Sequence, residues 1–219
     1  PTAAYLRQIF SVNGVEIIEN DFVKKINNLE RNVTSVELVS GKMIQLDTLL
    51  VATGGYPEVD LAKDAKLEIE NGIKVNERLE TNDPSIYAAG DCASFHHNGA
   101  VLRLESVGNA IDQGQTVALN IAGKTTNFNA KPWFWTEHFD KKLQIAGLCY
   151  GFTDIIDRKV KDKVSFWYYK EEILIAVDAF NDPYSYMIGK RLIEQKKSPK
   201  KEFLSNVDFR ILSSIFFSN

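Results

Sequence analysis

Hydrophobic and polar positions in the first quarter of the chain predict a short helix followed by strands. Residues 2–10, "TAAYLRQIF", predict the end of a helix that stops near Gly14. The segment "VEIIE", residues 15–19, predicts a strand. Residues 32–55 predict a hairpin that turns at Gly41, and its second arm runs into an apolar strand at 48–52. Glycine and proline breakers then end the segment.

The middle of the chain contains a longer helical pattern. A short helical turn at 61–69 and a small strand at 72–76 precede it. Apolar and small residues then recur at helical spacing, which predicts a helix with one buried apolar face: Val107, Ala110, Ile111, Gly114, Val117, Ala118 and Ile121. Ser106 is the expected N-cap, and Gly123 the expected stop. Gly114 costs helix stability, so we expect another backbone to approach it closely.

The last third of the chain predicts a separate α+β unit. The aromatic segment 131–142, "KPWFWTEHFDKK", predicts a junction, and strands are expected at 143–150, 163–169 and 173–180. Asp182 and Pro183 then provide a cap and a first-turn proline for a helix that ends near residue 195. A charged linker and an amphipathic helix are expected after it.

The order of elements predicts parts of three domains. A complete doubly wound domain needs more alternating β–α units than residues 1–130 supply. The sequence starts at Pro1, in what the pattern predicts to be the middle of a helix. We therefore expect the sequence to be a fragment of a longer protein.

Composition narrows the class of protein. With 44% hydrophobic and 25% charged residues, the chain has ordinary globular composition, and a net charge of −3 argues against a nucleic-acid binder. Residues 131–219 hold a small excess of basic residues, which could meet an acidic partner or could simply be solvated lysines. No apolar run approaches the roughly 20 residues that span a bilayer, and no signal-peptide pattern occurs. We expect a cytoplasmic protein without a membrane partner.

Cysteine and histidine residues predict neither a disulfide framework nor a metal site. Cys92 and Cys149 are far apart and form no CxxC pattern, so reduced thiols are expected. The three histidines, His96, His97 and His138, lack the spacing of metal ligands.

One short segment, "SIYAAGDCA" at 85–93, combines small residues with an acid. Tyr87 would anchor a strand, and the small residues up to Gly90 would let another molecule approach the backbone. Asp91, at the carboxyl end of that strand, could accept hydrogen bonds from the hydroxyl groups of a polyol or ribityl chain. From these residues alone, a ligand site and an unliganded strand end are equally open.

Four segments in order resemble a known family. "TNDPSIYAAGDCA" resembles the second flavin-binding motif of FAD-dependent pyridine-nucleotide oxidoreductases, and "VLRLESVGNAIDQGQTVALNIAGK" resembles the helix after it in the ferredoxin and rubredoxin reductase branch. "KPWFWTEHFDKKLQIAGL" and "VDAFNDPYSYMIGKRLIE" resemble the start and the end of that branch's C-terminal domain. The resemblance implies a partial FAD/NAD(P)-binding Rossmann-like α/β fold followed by an α+β reductase C-terminal domain. Its parts would be the end of the NAD(P)-binding domain (1–51), the second FAD-binding segment (52–130) and the partner-docking domain (131–219).

The same resemblance implies roles for residues around the predicted helix. Asp91 would hold the ribityl hydroxyls of FAD, and Gly90 would allow close approach. The helix that starts near Ser106 would direct its first amides, including that of Val107, at the pyrimidine edge of the flavin. A helix N-terminus stabilises the negative charge that develops on reduced flavin.

Three further residues receive roles from the resemblance. Trp135 would lie beside the isoalloxazine ring and the docking face for an iron–sulfur protein, or would serve in packing, as expected for Trp133. Glu105 would neighbour the nicotinamide, or would be a carboxylate that flanks the helix and is favoured by its dipole. Gly54 would lie near the nicotinamide nucleotide.

The function implied is electron transfer from NAD(P)H through FAD to a ferredoxin or rubredoxin, with no general acid or base in the protein. A reductase of monodehydroascorbate or nitrite-reductase type, and a non-catalytic flavoprotein similar to apoptosis-inducing factor, are the alternatives. No GxGxxG pattern occurs in the 219 residues. Because that pattern binds the FAD pyrophosphate, we expect the chain alone to bind FAD weakly and to be inactive.

Overall fold

A computed structural model describes residues 1–29 and 32–205, and the chain divides into two compact units, Pro1–Tyr56 and Pro57–Asn219. The N-terminal unit contains one helix and a three-stranded antiparallel sheet in chain order: α1 (Thr2–Val12), β1 (Val23–Leu29), β2 (Asn32–Leu38) and β3 (Met43–Gln45). The predicted helix and the hairpin turn at Gly41, where φ is +87°, are confirmed. Strand β1 was not predicted.

Two predicted strands in this unit are wrong. Residues 15–19 and 48–52 have extended or irregular backbone, and Leu50 is almost fully exposed. A strand exists only as part of a hydrogen-bonded ladder, and neither segment pairs with another strand in the part of the chain that the structure describes. Their apolar sequences therefore do not suffice to make them strands.

The second unit opens with small elements around one apolar core. They are α2 (Asp60–Asp64), β4 (Ile73–Val75), β5 (Ala93–His97) and β6 (Ala100–Leu102). Strand β4 pairs in parallel with β5, and β5 pairs antiparallel with β6. The core between them is built from buried apolar side chains: Val75, Leu79, Ala88, Ala93, Phe95 and Leu104.

The predicted position of Asp91 at the end of a strand is wrong. Tyr87 forms only an isolated bridge to Glu80, and strand β5 begins after Asp91, at Ala93. Gly90 has a φ of +84°, and its carbonyl oxygen accepts a hydrogen bond from the Ala93 amide at 3.0 Å. Asp91 therefore lies in a tight turn that leads into a strand, because the left-handed conformation of Gly90 interrupts any ladder.

Helix α3 (Val107–Ile121) is confirmed with its cap, but not with its buried face. The Ser106 hydroxyl accepts a hydrogen bond from the Asn109 amide at 3.2 Å. The residues that the chain buries are small or polar, while much of the apolar stripe is exposed: Gly108, Asn109, Gln113 and Thr116 are buried, and Val107, Ile111 and Ile121 are exposed. Nor does another backbone approach Gly114, since no atom lies within 4 Å of its β-carbon position.

The C-terminal part forms a five-stranded antiparallel sheet in the order β7-β8-β11-β10-β9. Its strands are β7 (Trp133–His138), β8 (Lys141–Gly147), β9 (Asp154–Val160), β10 (Lys163–Lys170) and β11 (Ile173–Phe180). The predicted junction at 131–142 is instead strand β7, since Trp133 to His138 pair with β8. Strand β9 was not predicted, because its charged residues hide the alternation.

Two helices complete this part. Helix α4 (Pro183–Glu194) begins as predicted at Asp182, whose carboxylate accepts a hydrogen bond from the Ser185 amide at 3.1 Å. It packs on β11 where Gly189 meets Val177. Helix α5 (Lys201–Ser205) follows the charged linker, and the rest of the predicted last helix lies outside the described residues. The core contains Trp167, Tyr169, Leu174, Val177, Ile188, Leu192 and Leu204.

Candidate functional site

An open cleft of ≈ 440 Å³ lies at the N-terminal end of α3. It is lined by Asp91, Glu105, Ser106, Val107, Ala110 and Ile111. Four of the predicted site residues thus share one surface, although they come from the turn before β5 and from the start of α3. A larger depression of ≈ 530 Å³ in the N-terminal unit, lined by residues 32–34 and 45–47, contains none of the predicted site residues.

The backbone around Asp91 is held from two sides. The Gly90 amide donates a hydrogen bond to Gln113 Oε1 at 2.7 Å, and the Asp91 carbonyl oxygen accepts one from Arg103 Nη1 at 2.9 Å. The Asp91 side chain is exposed, and no hydrogen bond from the described residues reaches its carboxylate. This carboxylate is therefore free to accept hydrogen bonds from a ligand.

Glu105 is tied to the same turn through Arg103. The nitrogen Nη1 of Arg103 donates both to the Asp91 carbonyl oxygen and to Glu105 Oε1. The Arg103 side chain is only 12% exposed, whereas that of Glu105 is 57% exposed. The guanidinium thus offsets the charge of Glu105 beside the cleft, which would otherwise hold two unpaired carboxylates.

The start of α3 provides hydrogen-bond donors at the cleft. The Asn109 amide is capped by Ser106, and the Ala110 amide donates to the Ser106 carbonyl oxygen. The first two helical amides, those of Val107 and Gly108, have no partner within the helix. Together with the helix dipole they make this end of α3 favourable for an anion or for a hydrogen-bond acceptor.

Trp135 lies near this helix end but does not line the cleft. Its ring, on strand β7, stacks on Trp133 with centroids 5.3 Å apart and planes at 20°, and the residue is 44% exposed. Trp133 in turn packs on Gly108 and lies 4.9 Å from Lys190 Nζ. Trp133 therefore has the packing role expected of it, and it connects Trp135 to the start of α3.

Gly54 belongs to the N-terminal unit, whereas the other candidates belong to the second unit. Its φ is +93°, and no atom lies within 4 Å of its β-carbon position. The backbone there needs a glycine, and the predicted contact with a nucleotide stays a prediction.

Sequence analysis missed Gln113 and Arg103. Buried polar residues recur on α3 at helical spacing: Asn109, Gln113 and Thr116. Such a polar stripe at i, i+4 and i+7 is a signal that a sequence can offer, but the apolar stripe beside it is longer. Arg103 gives no comparable signal, because only the fold brings it to Asp91.

Residues 1–29 and 32–205 contain no group of three or more His, Cys, Asp or Glu side chains that could hold a metal ion. Over the same residues, every helix is too short or too polar to cross a membrane.

Comparison with known proteins identifies the family. A family model described as pyridine nucleotide-disulphide oxidoreductase matches residues 1–114. The chain belongs to this family. A second model, described as reductase C-terminal, matches residues 133–214. The resemblance and the fold class predicted from the sequence are thereby confirmed.

Two similar relatives are named as reductases of rhodocoxin and of putidaredoxin. Rhodocoxin reductase of Rhodococcus erythropolis is 32% identical over 97% of this chain and 51% of its own length. Putidaredoxin reductase of Pseudomonas putida is 32% identical over 90% of this chain and 48% of its own length. The chain thus spans about half the length of the curated relatives it matches.

Solved structures of the family show the same fold. The crystal structure of a ferredoxin reductase from Rhodopseudomonas palustris matches 97% of this chain with a TM-score of 0.93 and 31% identity, over 54% of that protein. A covalent complex of putidaredoxin reductase with putidaredoxin matches 100% of this chain, also with a TM-score of 0.93, at 29% identity and over 54% of that protein.

Proposed function

We propose that the chain forms the flavin-ring end of an FAD site and the partner-docking domain of an NAD(P)H-dependent reductase. The reductase would pass electrons to a ferredoxin- or rubredoxin-type iron–sulfur carrier. The observation that carries the proposal is the unpaired Asp91 carboxylate beside the N-terminal end of α3, with its free Val107 amide, in one cleft. Relatives that reduce rhodocoxin, putidaredoxin and rubredoxin support the choice of acceptor.

The donors and acceptors of the cleft fit FAD. A ribityl chain has hydroxyl groups that can donate hydrogen bonds to an exposed carboxylate such as that of Asp91. The flavin ring offers carbonyl oxygens, to which the Val107 amide at the cleft can donate a hydrogen bond. The turn at Gly90 has a φ of +84°, at which a side chain would be strained, and a β-carbon there would lie 3.6 Å from Ala110 Cβ, so glycine suits this turn at the edge of the cleft.

When bound, FAD would accept a hydride from NAD(P)H and release the electrons one at a time. The protein would contribute position and electrostatics. The α3 N-terminus would stabilise negative charge on the flavin, which favours reduction. Arg103 would keep Glu105 from adding a repulsive charge at the same place.

The remaining predicted residues keep the roles proposed for them. Trp135 would contribute an exposed aromatic surface for the carrier, Glu105 would neighbour the nicotinamide, and Gly54 would lie near its nucleotide. A cytoplasmic location, without nucleic-acid or membrane partners, goes with this function, because free thiols at Cys92 and Cys149 suit a reducing compartment.

Flavin titration tests the proposal. The chain is titrated with FAD while flavin fluorescence is recorded, and Asp91→Ala is compared with Asp162→Asn, which changes an exposed acid on a distant turn. We expect weak binding by the unsubstituted chain and by Asp162→Asn. For Asp91→Ala we expect the affinity to fall by about tenfold or more, since hydrogen bonds to a charged group contribute roughly 1.5–3 kcal/mol. An Asp91→Ala chain that binds FAD as well as the unsubstituted one contradicts the proposal.

Carrier binding is tested separately. Calorimetric titration with a [2Fe–2S] ferredoxin and with a rubredoxin should give binding that Trp135→Ala weakens. Tyr150→Ala removes another exposed aromatic ring and serves as the control. Equal loss in both variants would count against a specific role for Trp135.

A further inference from the structure

The turn that presents Asp91 is held by two largely buried side chains, Gln113 and Arg103. Gln113 is completely buried, and its Oε1 accepts a hydrogen bond from the Gly90 amide, which lies 23 positions earlier in the sequence. Arg103 holds the carbonyl oxygen of the next residue, Asp91. The two peptide groups that flank the Gly90–Asp91 segment are thus fixed by one acceptor and one donor.

These two contacts come at a cost to the fold. The other amide atom of Gln113, Nε2, is buried and has no partner among the described residues, and Nε of Arg103 is in the same state. A buried donor without an acceptor is destabilising, and such groups are rare in folded proteins. An apolar residue at position 113 would avoid that unpaired donor but would leave the buried Gly90 amide without its acceptor, so the glutamine is explained by its contact with the turn.

The turn needs this support because of its conformation. Gly90 has a φ of +84°, and glycine is the residue that visits the largest range of backbone conformations. The Asp91 side chain has no hydrogen bond of its own in the described part of the chain. Without the two contacts, the turn would keep only its local hydrogen bond from the Ala93 amide to the Gly90 carbonyl oxygen, which leaves the direction of the carboxylate less constrained.

We infer that Gln113 and Arg103 are positioning residues that clamp the Gly90–Asp91 turn and so fix the Asp91 carboxylate at the cleft. The inference rests on the proposed function, because a fixed carboxylate matters if it binds a ligand. Arg103 has a second task in the same clamp: it pairs with Glu105 and thereby sets the distance of that carboxylate from Asp91. Affinity falls with the fraction of chains whose turn is competent to bind, so a loosened clamp weakens binding without removing a ligand contact.

The first experiment needs no ligand. Exchange of the Gly90 amide hydrogen is followed by NMR in Gln113→Met, which keeps the side-chain volume but removes the acceptor. Gln113→Glu keeps an acceptor oxygen, and Gln115→Met changes an exposed glutamine of the same helix. We expect exchange about tenfold faster in Gln113→Met, restored protection in Gln113→Glu and no change in Gln115→Met. Unchanged Gly90 exchange in Gln113→Met overturns the clamp, whatever happens to flavin binding.

The second experiment measures FAD affinity by fluorescence. Gln113→Met and Arg103→Met should raise the Kd about fivefold or more, while Arg103→Lys should recover part of the loss because it keeps the charge. Arg78→Met, which breaks an exposed pair with Glu80, is the matched control. Thermal unfolding followed by circular dichroism shows whether each variant is folded, and so distinguishes loss of the clamp from loss of the fold.

The outcomes are distinguishable. If the unsubstituted chain binds no flavin, the proposed function fails, and the role of the clamp in flavin binding fails with it. If the unsubstituted chain binds flavin and the folded clamp variants bind it equally well, the proposed function survives and the positioning role is overturned.

Discussion

The backbone of Gly108 packs directly against the indole ring of Trp133, and a β-carbon at position 108 would overlap the ring nitrogen and its neighbouring carbons. This contact joins the start of α3 to strand β7, so it joins the cleft to the C-terminal sheet. Trp135 stacks on this same Trp133 indole, so the contact also connects Trp135 to the start of α3.

Gly108→Ala should therefore destabilise the chain even though alanine is the better helix former. We expect the free energy of unfolding in urea to fall by about 1–3 kcal/mol, as for other overpacked sites. Gly114→Ala in the same helix is the control: its β-carbon position is empty, so stability should rise by up to about 1 kcal/mol. The double variant with Trp133→Phe should lose less than the sum of the single losses; strict additivity would argue against the contact.

Two substitutions of Ser106 distinguish its effect on helix stability from its effect on the charge of the cleft. Ser106→Ala removes the cap on the Asn109 amide and should lower the free energy of unfolding by about 1 kcal/mol. Ser106→Asp keeps a capping oxygen and should restore that stability. It also adds a negative charge to a cleft that already holds Asp91 and Glu105, so FAD affinity should fall, as measured by fluorescence titration. Recovery of both properties in Ser106→Asp would contradict this account of the cleft.

Helix α5 attaches to the sheet through Leu204. This side chain is completely buried beside Trp167, and the Arg158 guanidinium donates to the Leu204 carbonyl oxygen at 3.0 Å. Leu204→Ala should lower the free energy of unfolding by about 2–5 kcal/mol, because it leaves a cavity in the core. Met187→Ala, at an exposed apolar position of α4, should cost much less in the same urea titration; similar losses would mean that α5 does not close the core.

Tyr169 makes the stability of the C-terminal sheet sensitive to alkaline pH. Burial, and to a smaller extent the charge of Glu172, raises the pKa of the Tyr169 phenol above its usual value near 10. Because the neutral phenol is favoured in the folded state, its contribution to stability is complete below pH 10 and is lost as the pH rises above that value.

Tyr169→Phe gives the corresponding measurement. The variant loses the hydrogen bond to the Pro199 carbonyl oxygen, so it should be less stable than the unsubstituted chain by about 1 kcal/mol at pH 7. Between pH 7 and 9 that difference should stay constant, and above pH 10 it should shrink because only the unsubstituted chain has this phenol to ionise. The free energies of unfolding are measured in urea. A difference between the two chains that grows above pH 10 would contradict the prediction.

Strong local signals predicted those elements that carry their own start and stop residues. Helices α3 and α4 begin at Ser106 and Asp182 as expected, because a side-chain oxygen that caps a helix is a contact between near neighbours in sequence. Strand pairing was harder to foresee. Residues 15–19 and 48–52 have strand-like sequences but no ladder, whereas the tryptophan-rich junction became β7, because strand formation depends on a partner that the segment itself does not contain.

The sequence by itself determined the family, the two capped helices and the choice of Asp91, Glu105, Ser106 and Val107 as candidates, because motif order and caps are local. Only the tertiary structure decided that these four residues line one cleft, that Asp91 precedes a strand, and that the polar face of α3 is the buried one. It also brought Gln113 and Arg103 to the Asp91 turn. Their partners lie 23 and 12 positions away, and no sequence pattern specifies which distant backbone group a buried polar side chain will meet.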